Sequence, residues 1–187
     1  MPIRDMDMFA LGRSGGGYVA VGSNRGASGI DGIIASACGF AVGLGAPTTL
    51  MIGDIAGIHD LNSLLLAQKN SVPLIIVLLN NSGGGIFSFL PIASETAIFE
   101  RFWGTPHEAN FQAAAQFAGL IYAAPATAPE FERAYALALE SARSESRSTL
   151  LEVVVERHAN AEQHRALQRR IVQRLRERHE TLTGARK

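Results

Sequence analysis

The stretch PLIIVLLNNSGGGIF, residues 73–87, joins an uninterrupted apolar run to a short polar and glycine-rich segment. The apolar run, residues 73–79, is typical of a strand covered on both faces of a parallel sheet. Two amides, a serine and three glycines follow, which is more than an ordinary turn requires. The pattern predicts a buried strand whose carboxyl end another group approaches closely.

Short apolar strands alternate with helical segments on both sides of this stretch. Further strands are predicted at residues 18–22, 48–54, 120–124 and 149–156. Helices are predicted at 28–44, 59–69, 110–118 and 127–143, with capping patterns that begin at Ser28 and Thr127. The alternation predicts an α/β fold, a doubly wound and mainly parallel sheet with helices on both faces. Such a sheet binds ligands beyond the carboxyl ends of its strands.

The overall composition favours a globular protein that resides in a reducing compartment. The 187 residues are 47% apolar, and 17 basic residues balance 17 acidic ones, so no net charge attracts nucleic acid or a membrane surface. The single cysteine, Cys38, excludes an internal disulfide and lies in an apolar helical pattern. The chain shows neither a signal peptide nor an apolar run long enough to span a membrane, so we expect a cytoplasmic protein.

The C-terminal tail is predicted as a separate element. Nine of the 17 basic residues lie between Arg157 and Lys187. Leu167, Ile171, Leu175 and Leu182 form an apolar stripe on a long helix whose other faces carry arginine. We divide the chain into a main domain, residues 1–157, and a basic amphipathic helix, residues 158–187. Packing against a partner or a second copy is favoured over nucleic-acid binding, for which no recognised motif is present.

Three polar clusters fall at predicted strand ends: residues 23–32, 53–54 and 80–85. Each alone could be ordinary turn chemistry. The first offers backbone N–H groups at a helix start, which suits a phosphate, although no standard dinucleotide or P-loop motif is present. Asp54 and Asn81 end neighbouring strands and could supply hard oxygen ligands to Mg²⁺. Together the clusters indicate a site for a diphosphate and a metal ion.

The pair Gly53-Asp54, followed by Asn80-Asn81 with Asn81 placed 27 residues after Asp54, resembles the signature of thiamine-diphosphate-dependent enzymes. The resemblance implies that Asp54, Asn81 and the carbonyl of Gly83 hold Mg²⁺ or Mn²⁺, which anchors the cofactor's diphosphate. The neighbouring residues expected at the cofactor are Gly53, Ile55, Ala56 and Gly84. Relatives often carry a serine at the position of Ala56, so one diphosphate contact is weakened.

The segments SNRGASGIDG, HDLN and NNSGGGIFSFLP narrow the resemblance to the 2-succinyl-5-enolpyruvyl-6-hydroxy-3-cyclohexene-1-carboxylate synthases of menaquinone biosynthesis. The similarity runs from about Arg4 to the strand that ends near Glu156, and it covers only the C-terminal, diphosphate-binding domain of those enzymes. It implies a pyrimidine-binding domain and a middle domain that lie outside these residues, and assembly as a homodimer or tetramer. These residues alone are therefore expected to be inactive.

The resemblance assigns roles to individual residues. It places Arg4 and Arg25 on substrate carboxylates, Ser28 near the diphosphate and Ile30 beneath the bent cofactor. Residues Ile86, Phe87 and Leu90 are expected to line the pocket over the thiazolium and the substrate. Each role has an alternative: Arg4 lies near a terminus, Arg25 could be a solvated loop charge, and the apolar residues could belong to the core.

The implied reaction is decarboxylation of 2-oxoglutarate and addition of the remaining succinyl semialdehyde unit to isochorismate. No catalytic residue is assigned, because the activating glutamate of such enzymes belongs to the pyrimidine-binding domain. His59 and His107 are the remaining acid–base candidates, and His59 precedes a predicted helix cap at Asp60. Three alternatives stay open: an acetolactate-synthase-like enzyme, a 2-oxoacid decarboxylase, and a non-catalytic interaction module that retains the fold.

Overall fold

The computed structural model describes residues 20–24 and 29–184, apart from the side chains of residue 158 and residues 181–184. The described residues form a four-stranded sheet in which every pairing is parallel, in the order β1-β2-β4-β3. The strands are β1 (Thr48–Gly53), β2 (Leu74–Asn80), β3 (Ile121–Ala123) and β4 (Thr149–Val154).

Helices connect these strands and cover the sheet. The α-helices of the described residues are α1 (Ile33–Leu44), α2 (Asp54–His59), α3 (Ser63–Lys69), α4 (Thr96–Phe99), α5 (Phe111–Ala118), α6 (Ala128–Ser144) and α7 (Arg157–Gly184). Two 3₁₀ turns (Gly85–Phe89 and Pro91–Ser94) and a π-helical turn (Glu100–Gly104) lie between β2 and α5.

The central strand β2 is buried on both faces, as its continuous apolar sequence predicts. Leu74, Ile76 and Leu78 belong to a core that also includes side chains of α1, α3 and α5. Ile75 and Val77 point to the opposite face, where they belong to a second core with residues of α6. The sheet is therefore covered by helices on both faces, and the predicted doubly wound α/β fold is confirmed.

Helix α1 begins later than predicted, at Ile33 instead of Ser28. Its first turn is capped from a distance, because Asp60 Oδ2 accepts hydrogen bonds from the backbone N–H groups of Ile34 (2.5 Å) and Ala35 (3.2 Å). Asp60 was predicted to cap the helix that follows it; its Oδ1 does accept a hydrogen bond from Ser63 Oγ at 2.6 Å. The predicted Ser28 cap lies outside the described residues.

Two further boundaries differ from the prediction. The described part of the predicted strand 18–22, residues 20–22, has no strand pairing, and Val21 is exposed. The predicted helix 59–69 begins later, as α3 at Ser63, and a short helix that was not predicted, α2, precedes it and ends at His59. Helix α2 thus begins at Asp54 itself, where a carboxylate interacts favourably with the positive end of the helix dipole.

Two other helices begin at polar caps, of which the one at Thr127 was predicted from the sequence. Asn110 Oδ1 accepts a hydrogen bond from Ala113 N at 2.9 Å at the start of α5. Thr127 Oγ1 accepts one from Glu130 N at 3.4 Å at the start of α6. Cys38 is buried, and burial together with nearby Asp60 raises the pKa of its thiol, as expected for a structural cysteine.

Helix α7 is long and mostly exposed beyond its first turns. Its apolar residues Leu167, Ile171 and Leu175 are exposed. The side chain of Leu182 is among those that the structure does not describe. Across the described ranges, no helix combines the length and the apolar character needed to cross a membrane.

Candidate functional site

Asp54 is the centre of the candidate site at the carboxyl end of β1. Its side chain is buried, and Oδ1 accepts a hydrogen bond from the backbone N–H of Ile55 at 2.8 Å. Oδ2 accepts hydrogen bonds from the backbone N–H groups of Asn81 (3.1 Å) and Gly83 (2.9 Å). Among the described residues, no lysine or arginine forms an ion pair with this carboxylate. The negative charge of this buried carboxylate is thus not balanced by a lysine or arginine among these residues, and a bound cation would stabilise it.

Asn81 lies at the carboxyl end of the neighbouring strand and faces Asp54, as the parallel pairing of β1 and β2 requires. The inward atom of its side-chain amide lies 3.2 Å from Asp54 Oδ2 and 2.6 Å from the carbonyl oxygen of Gly83. With the amide nitrogen inward, Asn81 donates hydrogen bonds to both oxygens. With the amide oxygen inward, three oxygens converge on one point, an arrangement that a cation would stabilise.

The distances from the Asn81 amide to the other two groups can be compared with the ligand spacing of a hard divalent cation. Ligands on adjacent corners of an octahedron at about 2.1 Å from Mg²⁺ lie about 3 Å apart. The Asn81 amide lies 3.2 Å from Asp54 Oδ2 and 2.6 Å from the carbonyl oxygen of Gly83, and these two separations lie on either side of that value. One carboxylate, one amide and one carbonyl thus form a set of oxygen ligands that could hold Mg²⁺ or Mn²⁺. No group of three or more His, Cys, Asp or Glu side chains suited to a metal occurs in the described part of the chain.

The loop that carries Asn81 has an unusual backbone. Ser82 has a φ of 56° and Gly83 a φ of 154°. A left-handed residue other than glycine requires support, and Asn80 Oδ1 accepts a hydrogen bond from Ser82 N at 3.0 Å. The loop is therefore held by two side-chain acceptors, Asn80 for its middle residue and Asp54 for the residues on either side.

The three consecutive glycines are explained by neighbouring parts of the chain. A Cβ on Gly83 would collide with the carbonyl oxygen of Gly104, and one on Gly84 would lie 2.6 Å from the carbonyl oxygen of Trp103. A Cβ on Gly85 would collide with the side-chain amide of Asn81. The sequence interpretation assigned these glycines to close approach of a cofactor. The structure shows that the π-helical turn fills the space beside the first two, and that Asn81 fills the space beside the third.

His107 contacts Asp54, although it was predicted only as one of two acid–base candidates. Its Nε2 lies 3.1 Å from Asp54 Oδ2, and the ring is 14% exposed. The backbone N–H of Ala109 donates to Nδ1 at 3.2 Å. Because Nδ1 accepts, the hydrogen-bond pattern assigns the proton to Nε2, which donates to Asp54. His59 is exposed at the end of α2, as predicted.

The first turns of α7 hold the glycine-rich loop from the other side. Arg157, whose side chain is 11% exposed, donates to both carboxylate oxygens of Glu100 at 2.7 Å and to the carbonyl oxygen of Gly104 at 3.2 Å. Arg165 donates to the carbonyl oxygen of Ser88 at 2.7 Å. The sequence contained no local signal for these contacts, because the arginines of the tail were assigned together to the faces beside its apolar stripe.

The remaining predicted site residues fall into two groups. Arg4, Arg25 and Ser28 lie outside the described residues. The apolar residues expected to line the cofactor pocket are all exposed and therefore do not belong to the core: Ile30 (43%), Ile86 (55%), Phe87 (37%) and Leu90 (48%). Gly53, Ile55 and Ala56 flank Asp54 at the junction of β1 and α2, and Ala56 packs against the core.

Comparison with known proteins identifies the class of protein that this site belongs to. Residues 16–153 match the family described as thiamine pyrophosphate enzyme, C-terminal TPP binding domain. The chain belongs to this family. A crystal structure of benzoylformate decarboxylase from Polynucleobacter necessarius aligns with a TM-score of 0.57 and 18% identity, covering 66% of this chain and 23% of that one. At this identity the alignment shows the shared fold.

More similar relatives confirm the narrower resemblance. The 2-succinyl-5-enolpyruvyl-6-hydroxy-3-cyclohexene-1-carboxylate synthase of Prosthecochloris aestuarii is 48% identical over 94% of this chain and 29% of its own length. The synthase of the same name from Chlorobium limicola is 51% identical over 91% of this chain and 28% of its own length. The chain thus spans less than a third of the length of these relatives.

Proposed function

We propose that the chain is the diphosphate- and metal-binding domain of a thiamine-diphosphate-dependent transferase of menaquinone biosynthesis. The full-length protein would decarboxylate 2-oxoglutarate and add the succinyl semialdehyde unit to isochorismate. The convergence of Asp54, Asn81 and the carbonyl of Gly83 at the sheet edge carries this proposal, and the names of the similar synthases support the particular reaction. The pyrimidine-binding and middle domains of such an enzyme would complete the site.

Each group of residues would make a distinct contribution. Bound thiamine diphosphate supplies the reactive carbon centre for decarboxylation and carbon–carbon bond formation. Asp54, Asn81 and Gly83 would hold the Mg²⁺ or Mn²⁺ ion that anchors the diphosphate. The exposed apolar residues would exclude water beside the cofactor, and Arg4 and Arg25 would bind substrate carboxylates. These contributions are positioning, exclusion of water and charge pairing.

The metal assignment is tested by calorimetry with Mg²⁺ and thiamine diphosphate on the full-length protein. Asp54→Asn keeps the shape of the side chain and removes its charge, so we expect cofactor affinity to collapse. Glu145→Gln removes one charge from an exposed carboxylate that pairs with Arg147, and it serves as the matched control. Unchanged affinity in Asp54→Asn would refute the assignment.

The reaction itself is tested by supplying different substrates. Full-length protein should form the carboligation product from 2-oxoglutarate and isochorismate, whereas residues 1–187 alone should not. Product formation from pyruvate instead would favour the acetolactate-synthase-like alternative, and release of an aldehyde without carboligation would favour a decarboxylase. Cofactor binding without turnover of any 2-oxoacid would favour a non-catalytic module.

A further inference from the structure

A buried carboxylate in the middle of the sheet connects three strands. Glu152 of β4 is only 9% exposed. Its Oε1 accepts a hydrogen bond from Asn80 Nδ2 at 2.6 Å, and its Oε2 accepts one from Tyr122 OH at 2.6 Å. Asn80 is the last residue of β2 and Tyr122 lies in β3, so the two strands that flank β4 are tied through a single side chain.

The hydrogen bonds of Asn80 continue from this carboxylate into the metal-binding loop. Because the Asn80 nitrogen donates to Glu152 Oε1, this bond fixes the orientation of the Asn80 amide. The Asn80 oxygen is then directed at Ser82, whose N–H it accepts at 3.0 Å. Ser82 is the left-handed residue between Asn81 and Gly83. The orientation of the Asn80 amide therefore supports the turn that places both predicted metal ligands.

We propose that Glu152 is a positioning residue, which acts through Asn80 to hold the Ser82 turn and thereby the ligand geometry of Asn81 and Gly83. Its effect on metal binding rests on the proposed function, whereas its effect on the loop does not. Loss of a hydrogen bond that orients a metal ligand typically costs about 10- to 100-fold in metal affinity. Glu152 acts one step further out, through Asn80 and the N–H of Ser82.

A purely structural role explains the position of Glu152 less well. A central strand is stabilised most simply by apolar side chains, and burying a carboxylate is costly unless its hydrogen bonds are satisfied. Among the described residues, no ion pair of Glu152 with a cationic side chain is present. One of its two hydrogen bonds reaches the loop through Asn80, and the other comes from Tyr122, which steadies the carboxylate.

The test uses two readouts on the full-length protein. Hydrogen–deuterium exchange of peptides covering residues 81–84 reports the loop without any metal. Titration with Mn²⁺ and thiamine diphosphate, followed by electron paramagnetic resonance, reports the ligand geometry. Asn80→Ala and Glu152→Leu should speed loop exchange about tenfold and weaken Mn²⁺ binding by about 10- to 100-fold. In Glu152→Gln the side-chain oxygen can still accept from Asn80, so this variant should keep a loop exchange rate and an Mn²⁺ affinity close to those of wild type.

Ser148→Ala is the matched control. Ser148 Oγ donates to the carbonyl oxygen of Ala67 and accepts from Leu74 N, both at 3.0 Å. The substitution thus removes two buried hydrogen bonds at the opposite end of β2, about 20 Å from the loop. It should lower global stability and leave loop exchange in the native state and Mn²⁺ affinity close to wild type.

The outcomes separate the inference from the proposed function. Unchanged loop exchange in Asn80→Ala and Glu152→Leu would overturn the inference, as would equal acceleration in Ser148→Ala. If Glu152→Leu fails to fold, Asn80→Ala and Tyr122→Phe decide the question, with the smaller change expected for Tyr122→Phe. If wild-type protein binds no Mn²⁺, the proposed function fails, and loop exchange still decides whether Glu152 positions the turn.

Discussion

Replacing Gly84 by alanine tests the origin of the glycine run directly. Gly84 has a φ of −78° and a ψ of 62°, a conformation that alanine can adopt without strain from a positive φ. Its new Cβ would lie 2.6 Å from the carbonyl oxygen of Trp103 and 3.1 Å from Thr105 Oγ1. Because the first of these atoms belongs to the backbone, the loop and the π-helical turn must move apart.

The expected cost follows from three contributions. Overpacking a tight contact costs about 1–3 kcal/mol. Separation also weakens the hydrogen bond that Gly84 N donates to the carbonyl oxygen of Gly104 at 2.7 Å, which contributes about 1 kcal/mol. The reduced entropy of the unfolded chain offsets about 0.4–1 kcal/mol. The free energy of unfolding should therefore fall by roughly 1–3 kcal/mol.

The assay is urea denaturation followed by circular dichroism, with Gly39→Ala as the matched control. Gly39 lies in α1, where an added Cβ would meet no atom within 4 Å. Alanine is the better helix former, so this variant should be more stable by about 0.5–1 kcal/mol. Trp103 is the single tryptophan of the chain, and its fluorescence should change in Gly84→Ala alone.

Equal or greater stability of Gly84→Ala would refute the reasoning that the chain itself crowds this loop. A variant with wild-type stability and weakened thiamine diphosphate binding would instead support crowding by the cofactor, which was the interpretation of the sequence. A loss of stability measured without cofactor would support crowding by the chain itself. Under that condition the cofactor cannot contribute, because it is absent.

Three further predictions concern His107, Tyr122 and the exposed side of α1. His107→Leu should weaken Mn²⁺ affinity about tenfold or more, because it removes the donor to Asp54. His107→Gln keeps an N–H donor and should retain most of the affinity. An equal loss in both variants would contradict a role of this donor in metal binding. Burial and the hydrogen bond to Glu152 raise the pKa of Tyr122 to about 12. Its contribution to stability is thus complete below about pH 10 and lost toward pH 12, so the free energy of unfolding should fall more steeply over that interval in wild type than in Tyr122→Phe. Sedimentation should show a homodimer or tetramer that Val42→Glu weakens, and a monomer at tens of micromolar would exclude self-association through this surface.

The burial of individual α1 residues shows which side of this helix could form a self-association surface. Because residues 33–44 carry no charged side chain, residue type alone makes any Ala or Ile within residues 33–41 a candidate for a contact surface. Ile34, Ala37 and Ala41 are buried in the core of the chain itself, so charges there would unfold it. The exposed apolar residues of α1 are Phe40 (37%), Val42 (49%) and Leu44 (47%). An almost uncharged helix predicted a contact surface, but the absence of polar residues could not show which side faces outward.

The sheet and the ligand pair were predictable because their signals are local. A run of apolar residues predicts a central strand, and parallel strands bring their carboxyl ends to one edge. The polar residues after β1 and β2, Asp54 and Asn81, therefore had to lie close together. The start of α1 was misplaced because its capping group is distant in sequence. Asp60, which caps α1, follows the residues that it binds by 25 and 26 positions, so no local capping pattern reveals it.

The groups that support the ligands could not be predicted for a related reason. Metal ligands must be oxygen donors at strand ends, so residue type and position together identify Asp54 and Asn81. A supporting residue needs only to present a donor or acceptor at the right point, and many residue types on any element can do so. His107 comes from an irregular segment, Arg157 from the start of a distant helix, and Glu152 from within an apolar strand. Of these, only a carboxylate inside the run TLLEVVV departs from its local pattern, and such a departure in a central strand is the kind of sequence signal that could locate a supporting group.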